Sequence, residues 1–100
     1  MRLSQNQIEK IKTYLIDKPV VKAYLFGSYS RSSAQKDSDV DILLELDYSQ
    51  KIGLFFVKMK LDLEELLHKN VDLISTKGIS EYVKPFVEKD KKLIYERKVG

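Results

Sequence analysis

The 100-residue sequence contains no cysteine and no tryptophan, and it has only two prolines and one histidine, His68. Without cysteine the chain has neither a disulfide nor a thiolate metal site. A lone histidine late in a predicted helix is best interpreted as a surface residue. The longest apolar runs, such as residues 54–57, are too short to cross a bilayer, and no signal segment opens the chain. We therefore expect a cytoplasmic protein without a membrane contact.

The composition is ordinary for a soluble globular domain, with 43% hydrophobic and 33% charged residues. We expect residues 1–100 to form a single domain with a small core. The net charge of +3 is too weak to indicate a nucleic-acid-binding protein. Asp90 interrupts the densest lysine cluster, Lys89, Lys91 and Lys92, so a solvated surface is favoured there over a phosphate-binding patch. No direct nucleic-acid binding is expected.

Hydrophobic periodicity predicts alternating helices and strands. Ser4 and Gln7 form a capping-box pattern, and Pro19 ends the first helix. The other predicted elements are strands at 20–26, 40–46 and 70–76, helices at 52–69 and 80–90, and a strand or helix end at 93–95. This order predicts an α/β (α+β) domain, a small mixed β-sheet with helices on one face.

The predicted helix at 52–69 has two apolar stripes. The stripe expected to face the core consists of Ile52, Phe55, Phe56, Met59, Leu63, Leu66 and Leu67. Leu54, Val57 and Leu61 fall on the opposite side. Two explanations stay open for this second stripe: a terminal helix packs across it, or it is an exposed patch for a partner protein or a second copy of the chain.

Aspartates cluster where the second strand begins. Asp39 and Asp41 alternate along the chain, so both carboxylates point to one face of that strand. Such a pair of hard oxygen ligands suits magnesium, which usually shares its site with substrate phosphates. Asp72 occupies a similar position in the third strand. If the two strands are neighbours, the three carboxylates form a cluster able to hold two metal ions.

The residues around this cluster allow other interpretations. Counted from Asp37, the EF-hand positions that require glycine and glutamate hold Ile42 and Tyr48, which excludes that calcium loop. Asp37 itself is interpreted as a turn residue. The Gly27–Ser28 turn ends the first strand, where backbone amides can approach a phosphate closely. Arg31 either pairs with a phosphate or lies on the surface.

These residues resemble the nucleotidyltransferase superfamily of DNA polymerase beta, in its minimal (MNT) branch. The family signature GSxxRG, followed by a loop and SDxDL, is similar to residues 27–31 and 38–42 of this chain. Asp72, in the stretch "KNVDLIS", resembles in its position the residue that supplies the family's third carboxylate. Ser32 replaces the usual glycine and Ile42 the usual leucine. The resemblance implies a polymerase beta-like nucleotidyltransferase fold.

The resemblance also implies an activity: magnesium-dependent transfer of AMP from ATP, with release of pyrophosphate. By the resemblance, Asp39 and Asp41 ligate two Mg²⁺ ions. Asp72 ligates the ion facing the acceptor or acts as the base. The nucleotide-binding residues it implies are Gly27, Ser28, Arg31 and Ser38. Tyr29, next to the turn, either stacks on a base or packs in the fold.

The resemblance further implies a partner, since many members of this branch are antitoxins paired with a HEPN-domain ribonuclease toxin. The acceptor would then be a toxin tyrosine. For a chain this short we expect no extra acceptor-binding domain, so a partner or a second copy would hold the acceptor in a hetero- or homo-oligomer. Two alternatives stay open: a non-catalytic antitoxin that neutralises its partner by binding, and a small-molecule nucleotidyltransferase.

Overall fold

The computed structural model describes residues 3–29 and 38–98. The helices are α1 (Gln5–Leu15), α2 (Phe55–Leu67) and α3 (Lys84–Asp90), and the strands are β1 (Val20–Phe26), β2 (Val40–Leu46), β3 (Val71–Ser75) and β4 (Lys92–Glu96). Short 3-10 turns follow β1 and β3, at Gly27–Tyr29 and Thr76–Gly78. The bounds of β1 and β2 agree with the sequence prediction, and the last segment is a strand.

The four strands form one mixed sheet in the order β3-β2-β1-β4. Strand β1 is antiparallel to both β2 and β4, whereas β2 and β3 are parallel. Strand β2 is interior, with Val40, Ile42 and Leu44 fully buried on one face and Leu43 buried on the other. This burial on both faces explains why β2 is hydrophobic at nearly every position.

Helices α1 and α2 cover one face of the sheet. Ile11 and Leu15 of α1 and Met59 and Leu63 of α2 are fully buried in the same core cluster as Ile42. A hydrogen bond of 2.5 Å from the Tyr14 hydroxyl to the Asp62 carboxylate joins the two helices. The mixed sheet with packed helices agrees with the predicted fold class.

The start of α1 has the predicted capping box. The Ser4 hydroxyl accepts a hydrogen bond of 3.1 Å from the Gln7 backbone N–H, and the Gln7 side chain accepts one of 2.8 Å from the Ser4 N–H. These two bonds satisfy donors that would otherwise lack partners at the helix end.

The second apolar stripe of α2 is exposed to solvent. Leu54, Val57 and Leu61 are 85%, 53% and 57% exposed, so the explanation that a terminal helix covers them is wrong. Phe55 was predicted to face the core but is 45% exposed. It is the first residue of α2, which begins three residues later than the pattern predicts, after the positive-φ Gly53.

Helix α3 begins later than predicted, at Lys84, with Pro85 in its first turn. Proline is tolerated there because its missing N–H would have no helical partner. Val87 is the buried residue of α3 and lies outside the main core cluster. Over the described ranges, no helix combines the length and the apolar character required to cross a membrane.

Candidate active site

The site begins at the turn that ends β1. Gly27 has a φ of +70°, which residues with a side chain rarely adopt. A Cβ atom at this position would also overlap with the Asp41 carboxylate. Phe26, the residue before it, pairs with Asp41 across the β1–β2 ladder. The backbone of the turn and the Asp41 carboxylate therefore lie in close contact, and this contact requires a glycine.

Asp41 lies beside Asp72. Strands β2 and β3 are parallel neighbours, and these two aspartates are direct partners in their register. Adjacent strands are about 4.8 Å apart, and paired residues project to the same face. The flanking Val40 and Ile42 are buried against the helices, so both carboxylates lie on the opposite face of the sheet. Asp41 is half-buried and Asp72 is exposed. The strand adjacency that the prediction required is present.

Asp39 and Ser38 lie just before β2, where Asp39 is exposed and Ser38 is half-buried. The Val40 N–H donates a hydrogen bond of 2.9 Å to the Asn70 carbonyl, which ties the segment before β2 to the segment before β3. Asp39 therefore precedes the paired part of β2, whereas Asp41 and Asp72 are held in position by the hydrogen-bonded pairing of β2 with β3.

The predicted three-carboxylate cluster is not assembled. Within residues 3–29 and 38–98, no group of three His, Cys, Asp or Glu side chains is close enough to hold a metal ion. Asp39 is exposed and lies one residue before the β2–β3 register, which begins with the pair Val40 and Val71. The donor chemistry nevertheless fits magnesium. Its sites commonly need only one or two protein carboxylates, with water and substrate phosphates completing the shell.

Arg31, predicted to contact a phosphate, lies outside the described residues, as do Ser32 and Asp37. Ser28 is the middle residue of the 3-10 turn after β1. The turn and the start of β2 therefore bring Gly27, Ser28 and Ser38 to the same end of the sheet as the aspartates.

Two further residues lie at this end: Tyr29, for which the sequence left base stacking and packing open, and Lys69, which had no functional assignment from the sequence. Tyr29 is only 4% exposed and belongs to the core cluster, so it packs in the fold rather than stacking on a base. Its hydroxyl has no hydrogen-bond partner among the described residues. The Lys69 Nζ lies 5.8 Å from the centroid of the Tyr29 ring. This contact joins residues 40 positions apart, so no local sequence signal predicts it.

Residues 9–99 match the Polbeta family, described as polymerase beta, nucleotidyltransferase. The chain belongs to this nucleotidyltransferase family. It is 38% identical over 80 residues to the putative protein adenylyltransferase MJ0435 of Methanocaldococcus jannaschii. The aligned region covers 79% of this chain and 85% of that relative.

Solved structures agree with this membership. A chain of the crystal structure of a toxin–antitoxin with AMP-PNP superposes with a TM-score of 0.74 and 26% identity, covering 96% of this chain and 76% of that chain. A chain of the complex of tri-AMPylated Shewanella oneidensis HEPN toxin with MNT antitoxin superposes with a TM-score of 0.63 and 25% identity. The superposition covers 91% of this chain and 68% of that chain. The protein is a nucleotidyltransferase with the minimal fold of this family.

Proposed function

We propose that this nucleotidyltransferase transfers AMP from ATP to a tyrosine hydroxyl of a HEPN-domain toxin and thereby acts as an antitoxin. The relative in M. jannaschii carries the name of a protein adenylyltransferase, and one structural neighbour is an MNT antitoxin bound to a tri-AMPylated HEPN toxin. AMP-PNP, an ATP analogue, is present in another neighbour. These similarities support both the nucleotide and the class of acceptor.

The observation that carries the proposal is the arrangement of Gly27, Asp41 and Asp72. Two carboxylates lie side by side on parallel strands, and a turn that tolerates only glycine lies against one of them. Like charges this close repel each other, and a bound cation reduces that repulsion. The arrangement is favourable when a cation and a phosphate chain occupy the same end of the sheet.

Magnesium fits this proposal through the oxygen ligands. Asp39 and Asp41 would hold two Mg²⁺ ions, and Asp72 would share the ion nearest the acceptor. When bound, magnesium supplies positive charge that offsets the charge of the triphosphate and of its leaving group. Gly27, Ser28, Arg31 and Ser38 are the proposed nucleotide-binding residues.

In the proposed reaction, the acceptor oxygen forms a bond to the α-phosphorus of ATP. The bond from that phosphorus to the oxygen bridging the β-phosphate breaks, and pyrophosphate leaves with the electron pair. The proton of the acceptor hydroxyl passes to the Asp72 carboxylate. Asp72 is exposed on β3, an edge strand, so a second protein has access to it from outside the sheet.

A second candidate function is neutralisation of the toxin by binding alone. The exposed stripe of Leu54, Val57 and Leu61 favours it, because three large apolar side chains on one helix face suit a protein interface. Binding and transfer are compatible, since a protein acceptor must dock before it can react.

The test is a transfer assay with α-labelled ATP, magnesium and a purified HEPN-domain partner. We expect label on a tyrosine of the partner, identified by mass spectrometry. Asp72→Asn should lose the transfer while Asp17→Asn, an exposed aspartate on the segment after α1, should keep it. A wild-type protein that binds the partner and blocks its ribonuclease activity without transferring label would favour neutralisation by binding.

A further inference from the structure

We infer that Lys69 is a phosphate-binding residue of this site and contacts the β- or γ-phosphate of the bound nucleoside triphosphate. This inference rests on the proposed function, because it assigns a further residue to the same nucleotide. Lys69 lies in the short connection between α2 and β3, three residues before Asp72.

The backbone delivers Lys69 to this end of the sheet. His68 ends α2 in the left-handed conformation, with a φ of +54°, which turns the chain out of the helix immediately before Lys69. Asn70, the next residue, accepts the hydrogen bond from the N–H of Val40 at the start of β2. The connection is therefore fixed against the segment that carries Asp39.

The Lys69 side chain reaches across the start of β2. Lys69 precedes β3 in the chain, yet its Nζ lies 5.8 Å from the centroid of the Tyr29 ring. Tyr29 follows β1. Because β2 lies between β3 and β1, this contact places the ammonium group at the end of the sheet where β2 begins. Tyr29 directly follows Gly27 and Ser28, the proposed phosphate-binding turn.

The charges at this end explain why a cation is useful there. Asp39, Asp41 and Asp72 lie at the same end of the sheet, and a triphosphate brings further negative charge. An ammonium group is a compact positive charge with three donors, suited to phosphate oxygens. Lys69 is half-buried, so solvent screens its charge less than that of a fully exposed lysine.

Lys77 provides a matched control. Its Nζ lies 4.0 Å from the ring centroid of Tyr48, the same kind of contact, but Lys77 lies in the turn after β3, at the opposite end of that strand. Lys69→Met and Lys77→Met both remove a charge and keep an apolar stem of similar length. Lys69→Arg restores a positive charge in a different shape.

The experiment measures MgATP affinity by titration calorimetry, together with the melting temperature of the nucleotide-free protein. We expect Lys69→Met to weaken ATP binding by about tenfold to a hundredfold. Its melting temperature without nucleotide should stay near that of the wild type. Lys69→Arg should recover part of the affinity, and Lys77→Met should bind like the wild type.

Two results would overturn the assignment of Lys69. One is ATP affinity of Lys69→Met within about twofold of the wild type, since a charge-assisted phosphate contact is stronger than that. The other is a weakened affinity that comes with a lower nucleotide-free melting temperature and no recovery in Lys69→Arg, which indicates a packing role. A wild-type protein that binds no MgATP would instead contradict the proposed function itself.

Discussion

The two ends of β2 both carry aspartate, but the surroundings of the carboxylates differ. Asp47, one residue after β2, accepts hydrogen bonds from the Ser49 N–H at 3.0 Å, from the Ser49 hydroxyl and from the Arg97 guanidinium at 2.8 Å. At the other end, Asp41 lies beside Asp72 and against the backbone of Gly27. Asp47 is paired with an arginine at one end of the strand, whereas Asp41 has a second aspartate as its strand neighbour at the other end.

This difference separates a structural carboxylate from candidate functional ones. Hydrogen bonds from Ser49, followed by the Arg97 ion pair, hold the pKa of Asp47 well below its usual range. Arg97 also donates a hydrogen bond of 3.3 Å to the Lys18 carbonyl, so this cluster ties the ends of β2 and β4 to the segment before β1. The Asp47 end stabilises the fold, and the Asp41 end is suited to a charged ligand.

The largest effect should come from Asp41→Asn. This substitution removes one charge of the pair and nearly preserves the shape of the side chain. We expect AMP transfer to fall by at least about a hundredfold, since even residues that only support metal ligands commonly contribute ten- to a hundredfold. The folded protein should keep its circular dichroism spectrum. Unchanged transfer would place the chemistry at other residues.

Gly27→Ala should damage both the fold and the activity. A side chain at a φ of +70° costs about 1–3 kcal/mol, and the added Cβ would also displace the Asp41 carboxylate. We expect a lower midpoint in urea denaturation and a loss of transfer. Gly53→Ala is the matched control. Gly53 also has a positive φ but has open space around it, so this variant should lose stability and keep transfer.

Asp47→Asn should lower the stability without affecting transfer. The folded-state pKa of Asp47 is depressed, so its contribution is present above the unfolded-state value of about 3.9 and is lost as the pH falls toward the folded-state value. The variant should therefore melt below the wild type at pH 7, and the difference should shrink as the pH falls below about 4. A melting-temperature difference that does not change with pH would contradict the conclusion that the charge of Asp47 provides this stability.

The smallest effect is expected for Leu61→Lys. Leu61 lies on α2 and at neither end of β2. Leu61 is 57% exposed, so we expect the free energy of unfolding to change by no more than about 0.5 kcal/mol. Leu63→Lys, two residues along the same helix, would bury an unpaired charge and should unfold the protein. Binding of a HEPN-domain partner to Leu61→Lys, measured by calorimetry, tests whether the stripe is an interface.

Local patterns predicted much of this structure from the sequence. The bounds of β1 follow from an apolar run between Pro19 and Gly27, and those of β2 from a run that is hydrophobic at nearly every position. The similar apolar–Asp–apolar patterns of the second and third strands predicted a carboxylate cluster only if those strands were neighbours, and β2 and β3 are neighbours. The start of α2 was predicted too early because the apolar pattern continues through Ile52, although Gly53 takes a positive φ there.

Contacts between distant parts of the chain were not predictable in this way. The Arg97–Asp47 ion pair joins residues 50 positions apart, and Lys69 meets Tyr29 only because β2 lies between β1 and β3. Periodicity indicates which face of an element is buried, but it does not give the strand order. The exposure of Leu54, Val57 and Leu61 was one of two open explanations, because the pattern alone does not show what covers a helix.

The most direct test of the central claim is a thermal melt with MgATP at about a hundred times its dissociation constant. If the Asp41 end of β2 binds the nucleotide, the wild type and Asp47→Asn should each gain about 2.7 kcal/mol, seen as a melting temperature higher by several degrees. The double variant Asp41→Asn/Asp72→Asn should gain nothing. Equal stabilisation of all three proteins by MgATP, or none in the wild type, would contradict the account.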